Sequence, residues 1–126
     1  MITYKLTKSK YYQNLVLELD GDVLSEHFDK NQENQIAGIH SECILCGKGI
    51  KSTNNHYTIM GTGGTYHKLI HKDDMDLAEK NQNQDGGFMG CWDVGSECFK
   101  RLKHIPEIKN YVLKPKELKD SRLCWY

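Results

Sequence analysis

Cys43-Ile44-Leu45-Cys46-Gly47-Lys48 decides how this chain is read. Two cysteines three residues apart, with a glycine directly after the second, make the tight turn that aims two thiolates at one ion. This is the zinc-knuckle pattern, and tetrahedral zinc then asks for two further ligands. A redox pair of the thioredoxin kind needs a βαβ pattern around the cysteines, which is missing here. Two unrelated buried thiols are the bland alternative.

Downstream, Ser96 is a good helix N-cap for Glu97-Cys98-Phe99-Lys100-Arg101-Leu102-Lys103-His104, with an acid near the positive end and bases later. Cys98 falls in the first turn of that predicted helix, where the positive end of the macrodipole favours a thiolate, and it is the third expected ligand. Between Cys46 and Cys98, glycines cluster at Gly47, Gly49, Gly61, Gly63, Gly64, Gly86, Gly87, Gly90 and Gly95, so turns are expected at each group. His56–Met60 and Tyr66–His71 flank Gly61-Thr62-Gly63-Gly64-Thr65 and read as a hairpin; 73–87 reads as a polar excursion and Phe88–Val94 as a short strand. A knuckle, a hairpin and a helix carrying a ligand in its first turn form the treble-clef arrangement. One turn past Cys98 the helix offers Arg101 and Leu102, neither of which binds zinc. The fourth ligand is therefore sought elsewhere: His71 stands first, with Cys91 and His67 next and His56 behind. A water in that position would instead leave the site open for catalysis.

Upstream, Leu15–Leu19 and Val23-Leu24 flank Asp20-Gly21-Asp22, an Asp-Gly turn signal that predicts an N-terminal hairpin. Residues 29–35 are polar without apolar period and read as a linker. The expected organisation is an α+β chain with an N-terminal β-hairpin and linker over 1–40, a zinc-stapled treble-clef-like module over 41–104 and an extension over 105–126.

Composition sets limits. In 126 residues the hydrophobic share is 38%, a thin core that favours a staple. The 17 basic residues balance 17 acidic ones. The basic and acidic counts are four and six over 1–40, eight and eight over 41–104, and five and three over 105–126, a weak footprint for nucleic acid. The N-terminus has no stretch of signal-peptide character and no segment approaches the ~20 apolar residues of a membrane span, which points to the cytoplasm. Five cysteines there argue for metal ligation ahead of disulfides.

The knuckle, the Gly63-Gly64 turn and Met89-Gly90-Cys91-Trp92-Asp93-Val94-Gly95-Ser96-Glu97-Cys98-Phe99-Lys100-Arg101-Leu102 resemble small, mostly uncharacterised zinc-finger proteins of bacteriophages and mobile elements, over about residues 41–104. In that group an aromatic is expected where Cys91 stands and a proline where Asp93 stands, a departure that favours a histidine such as His71 as the last ligand. The resemblance implies a protein acting on one host macromolecule, for example a component of defence or transcription.

Three functional classes compete. An HNH-type nuclease needs a general-base histidine and a metal pair completed by a helix residue; His67, His71, Asp73, Asp74 and Asn81 are its candidates, with His104 the helix partner. Nucleic-acid binding would draw on Lys48, Lys51, Lys68, Lys100, Arg101 and Lys103 with Tyr57, Tyr66 and Trp92. Protein binding, possession of an edge-bearing N-terminal hairpin with Tyr11, Tyr12, Trp125 and Tyr126 being its raw material, is the leading expectation, and the chain is expected to be no enzyme.

Overall fold

The computed structural model describes residues 2–20, 28–33, 41–50, 56–114 and 117. In chain order the strands and helices are β1 (Thr3–Thr7), β2 (Val16–Asp20), α1 (Phe28–Glu33), β3 (Ser41–Glu42), β4 (Gly49–Ile50), β5 (His56–Thr62), β6 (Thr65–Leu69), α2 (Met75–Lys80), β7 (Gly90–Gly95) and α3 (Ser96–Lys100). Short 3₁₀ turns cover Lys72–Asp74 and Ile108–Asn110. Five strands form one antiparallel sheet in the order β1-β2-β6-β5-β7, and β3 pairs with β4 alone. The fold is mixed α+β, as the patterning predicts.

Alternation along the strands gives the sheet two buried faces. Leu17, Leu19, Ile59, Leu69 and Val94 join a cluster with Cys43, Leu45, Cys46, Cys98, Phe99, Leu102 and Ile105. Their sequence neighbours Val16, Met60 and Ile70 join a second cluster with Tyr12, Ala78 and Leu113. The cysteines cover one face; the excursion carrying α2 covers the other.

The N-terminal strands do not stand apart. β2 pairs with β6 through Leu17↔Leu69 and Glu18↔Lys68, so residues before 41 and after 55 share one sheet. β2 pairs with β1 across the loop 8–15, in register Thr3↔Asp20 to Thr7↔Val16. The second arm expected after Asp20-Gly21, and the turn itself, lie outside the described residues.

Residues 29–35, read as a linker, differ from that expectation, because 28–33 form α1. No α1 residue is buried, and the helix is fixed by polar contacts to the knuckle: Asn31 Nδ2 donates to Cys46 O at 2.7 Å and Gln32 Nε2 to Gly47 O at 3.4 Å. A search for apolar period misses a helix docked this way.

The β5–β6 turn is Gly63-Gly64, both at positive φ (71° and 77°), the backbone that a two-residue type I′ loop needs. Gly64 N donates to Gly87 O at 2.7 Å, which brings the distant Gly86-Gly87 pair onto the turn. A β-carbon on Gly87 would lie 2.6 Å from Gly63 Cα, Gly63 N and Gly64 N, whereas one on Gly86 would meet nothing within 4 Å. Gly87→Ala is therefore expected to cost about 1–3 kcal/mol by overpacking, and Gly86→Ala under about 1 kcal/mol; parallel urea melts check the contrast.

The segment after α3 belongs to the core. Ile105, Ile108, Tyr111, Val112 and Leu113 are buried, and Leu113 forms an antiparallel bridge to Thr58, its N–H and C=O both bonded there at 2.9 and 2.8 Å. The α3 helix itself is shorter than the predicted 97–104, ending at Lys100, with Gly95 rather than Ser96 in the capping position.

Candidate metal centre

The knuckle is a small hairpin closed by backbone bonds. Cys43 N donates to Lys48 O at 2.9 Å and Gly47 N to Cys43 O at 2.8 Å, with Gly47 at φ 76° to reverse the chain. Ile44 N donates to Asp93 O at 2.8 Å, which anchors the hairpin on β7. The strand runs directly into α3, so Cys98 arrives opposite the knuckle. The Sγ atoms of Cys43, Cys46 and Cys98 all lie within 4.8 Å of one another. Their residues are 1%, 8% and 3% exposed.

Backbone amides point at the sulfurs: those of Gly95 and Leu45 toward Cys43, and that of Lys48 toward Cys46. Arg101 Nη1 donates to Cys98 Sγ at 3.9 Å, so the side chain standing one helical turn past Cys98, where a second ligand was sought, contacts a ligand instead. Hydrogen bonds from the Cys46 and Cys98 thiols pull the Cys43 thiol below the ordinary range. Cys46 and Cys98 are pushed up, chiefly by their bonds to the thiolate that Cys43 becomes. Three adjacent buried sulfurs cannot all ionise unaided, because each new negative charge repels the last in a poorly solvated place. A divalent cation removes that conflict. The donor set, spacing and burial thus fit a metal ion held by Cys43, Cys46 and Cys98.

Sequence reasoning names these three residues, and the structure brings them together. His71 stands outside that group: it caps the 3₁₀ turn before α2, its Nδ1 accepting from Asp73 N at 3.0 Å, and its ring lies edge-on to Tyr111 at 5.1 Å. His67 is tied elsewhere, with Nδ1 3.2 Å from Leu19 O. Cys91 is disulfide-bonded, so its sulfur is no thiolate donor, which differs from the expectation that the cysteines serve metal ahead of disulfides; the other three described ones are free thiols that could hold an ion. The side chain of His56 lies outside the described residues. Among the described residues the cluster therefore has three ligands, and no fourth is evident.

The candidates for other chemistry are dispersed. Asp74 is buried, its carboxylate accepting from Asn14 N at 3.0 Å and Asn14 Nδ2 at 3.2 Å, while Asp73 is exposed. Asn81 Nδ2 donates to Tyr11 O at 3.3 Å and His104 Nε2 to Ile2 O at 2.5 Å. No helix among the described residues is long and apolar enough to cross a membrane.

The chain matches no protein-family model, no curated protein and no solved structure.

Beside the cluster lie Lys48 and Arg101, which the sequence offers as part of a basic patch, and Lys30, which it does not single out. Cys46 and Cys98 line a cleft of about 490 Å³ together with Lys30, Asn31, Lys48, Glu97 and Arg101. The signal available in sequence was the interval itself: Lys48 follows the knuckle and Arg101 follows Cys98, so two ligands each bring a cation with them. Lys30 had no such signal, since it reaches the site only through α1.

Proposed function

We propose that this chain is a zinc-stapled, treble-clef-like binding protein without catalytic activity, of the bacteriophage or mobile-element kind, whose target is a host protein in the bacterial cytoplasm. The burial of the three cysteines within the main hydrophobic cluster carries the reading. An ion there ties knuckle, β7 and α3 together, the work of a structural staple. The succession of knuckle, β5–β6 hairpin and α3 with Cys98 in its first turn supports the treble-clef assignment.

Among the described residues the platform ends in an open sheet edge. β1 is the outer strand, paired only with β2 among the described residues, and Leu6 on it is 37% exposed. Leu15, just before β2, is 43% exposed. A strand edge with apolar side chains is the raw material of strand addition. The aromatic residues expected to take part fall differently: Tyr12 is buried, and Tyr11 packs against the second core cluster. Trp125 and Tyr126 lie outside the described residues.

Nucleic-acid binding draws less support from the aromatic side chains. Tyr57 stacks on Phe99 at 3.9 Å and Tyr66 meets Trp92 edge-on at 6.4 Å, all packed against the core cluster, so they form no open platform for bases. Lys51 lies outside the described residues.

The test uses zinc-loaded full-length protein and a Leu6→Asp variant as paired baits in host extract, with mixed DNA and RNA titrated separately at rising salt. Recovery of one stoichiometric protein by the parent and at least tenfold less by the variant is expected. Salt-dependent capture of nucleic acid without a protein, or equal recovery by both baits, overturns the reading.

A further inference from the structure

Three sulfurs that share one divalent ion bind it as thiolates, so the S–H donors that Cys43, Cys46 and Cys98 offer one another disappear when the ion is held. What remains is unequal. Cys43 keeps the amides of Gly95 and Leu45, and Cys46 keeps that of Lys48. For Cys98 the remaining donor among the described residues is a side chain, that of Arg101, whose Nη1 lies 3.9 Å from Sγ.

The helix places this contact. Arg101 caps the C-terminus of α3 in helical conformation, its N–H on the carbonyls of Cys98 and Phe99, and the spacing of three residues brings it to the side of the helix that carries Cys98. The next residue, Leu102, is buried in the main cluster and fixes where the Arg101 side chain starts. Arg101 is half-buried and lines the cleft with Cys46 and Cys98, so its bond to sulfur is partly withdrawn from water and stronger for it. A guanidinium carries five N–H donors, so it serves Cys98 and takes part in its further interaction at the same time. Other charges face the same opening: Lys30 from α1, Lys48 from the knuckle, and Glu97, which Lys100 pairs at 3.8 Å. Among the described residues the side chain bonded to a ligand sulfur is that of Arg101.

We infer that Arg101 is a positioning residue of the metal centre. Standing where a second helix ligand would stand, it binds no ion itself but orients the Cys98 sulfur and offsets its charge, and so sets how tightly the three-cysteine site holds its ion. Groups that hydrogen-bond a metal ligand commonly govern affinity in this way. The role deepens the proposed function and rests on its staple.

The experiment uses the full chain, with zinc affinity read by competition against a chromophoric chelator and the thiolate-to-metal charge-transfer band read after loading with cobalt. Arg101→Met, which keeps an unbranched apolar stem without a donor, is expected to weaken zinc about tenfold, the lower end of the range for partners of metal ligands. It is also expected to move the charge-transfer band to longer wavelength, because a thiolate relieved of its N–H donor gives up an electron more readily. Arg101→Lys restores a cationic donor and is expected to stay within about threefold of the parent, with the band moved back toward the parent position. Lys30→Met removes a cation of the same cleft and is expected to change affinity less than about twofold and leave the band in place. Ligand-field bands that keep their positions show that a variant keeps its centre. An Arg101→Met protein that holds zinc as tightly as the parent, a charge-transfer band that does not move, or an equal loss in Lys30→Met overturns the inference and leaves the staple standing. Should the methionine variant take up no cobalt, uptake recovered by Arg101→Lys supports the inference and uptake not recovered overturns it. A parent chain that takes up no metal fails the staple and this role with it.

Discussion

Cys43→Ser is expected to abolish cooperative folding of the full chain, and chelation of the metal from the parent protein is expected to do the same. Cys43 Sγ receives the Gly95 and Leu45 amides and the contacts of both other thiols, so it is the centre of the cluster. Structural zinc binding contributes on the order of 10 kcal/mol, comparable with the whole stability of about 5–15 kcal/mol of an ordinary domain. Serine at that position lacks the thiolate, and the remaining buried sulfurs keep their mutual repulsion without full relief. The sign with pH follows from the ligands. Every sulfur that binds must be deprotonated, so protons compete with the metal and its apparent affinity falls as pH drops below the ordinary thiol range near ~8.5, steeply because more than one proton is taken up. Circular dichroism melts with and without chelator, and zinc release followed by a chromophoric indicator between pH 8 and 5, read both effects. A Cys43→Ser protein that melts like the parent removes the staple from this account.

Asp85→Ala is expected to be the most damaging substitution away from the metal. Asp85 is a buried carboxylate in the 73–87 excursion, and three groups converge on it: Tyr12 Oη at 2.5 Å, Thr62 Oγ1 at 2.6 Å and Gly87 N at 3.0 Å. The three donors come from the loop between β1 and β2, from the end of β5 and from the glycine that braces the β5–β6 turn. One side chain therefore pins the β1–β2 loop and the end of β5 to its own excursion. Removing it leaves two buried hydroxyls without that acceptor, at a cost of about 3 kcal/mol, or a fall of roughly 10 °C in Tm for a chain of this size. Asp85→Asn, which keeps one acceptor oxygen, is expected to lose about half as much.

The same network sets the alkaline limb. Burial, and next the hydrogen bond to Asp85, push the Tyr12 hydroxyl well above its usual value. A group raised in the folded state contributes stability that is complete below its unfolded pKa of about 10 and is lost as pH rises beyond it. Tyr12→Phe is expected to cost about 1 kcal/mol at pH 7 and to flatten the decline above pH 10, a pattern that urea melts across pH resolve.

The two central elements of the site were legible for local reasons. A Cys-x-x-Cys-Gly turn is closed by bonds between neighbours, Cys43 with Lys48 and Gly47, and a Gly-Gly pair between β-prone runs can hardly avoid a tight hairpin. Nothing distant needed to be known. The helix bearing Cys98 was legible through its acid-to-base charge order, although its length was not, since its end is set by the burial of Leu102 and Ile105 against the sheet.

Other features depend on contacts far apart in sequence. α1 carries no apolar stripe and owes its place to the carbonyls of Cys46 and Gly47. The pairing of β2 with β6, and of Leu113 with Thr58, joins segments some fifty residues apart, and a strand's own side chains do not name its partner. His71 looked suitable because histidines bind zinc, yet its imidazole caps a turn and lies against Tyr111. Short loops of fixed stereochemistry are enough to turn Cys43 and Cys46 toward one centre, and that much is written in the local sequence. The arrival of Cys98, carried in by β7, and of Lys30, carried in by α1, depends on packing between segments far apart in the chain, which leaves no periodic signature in the residues themselves.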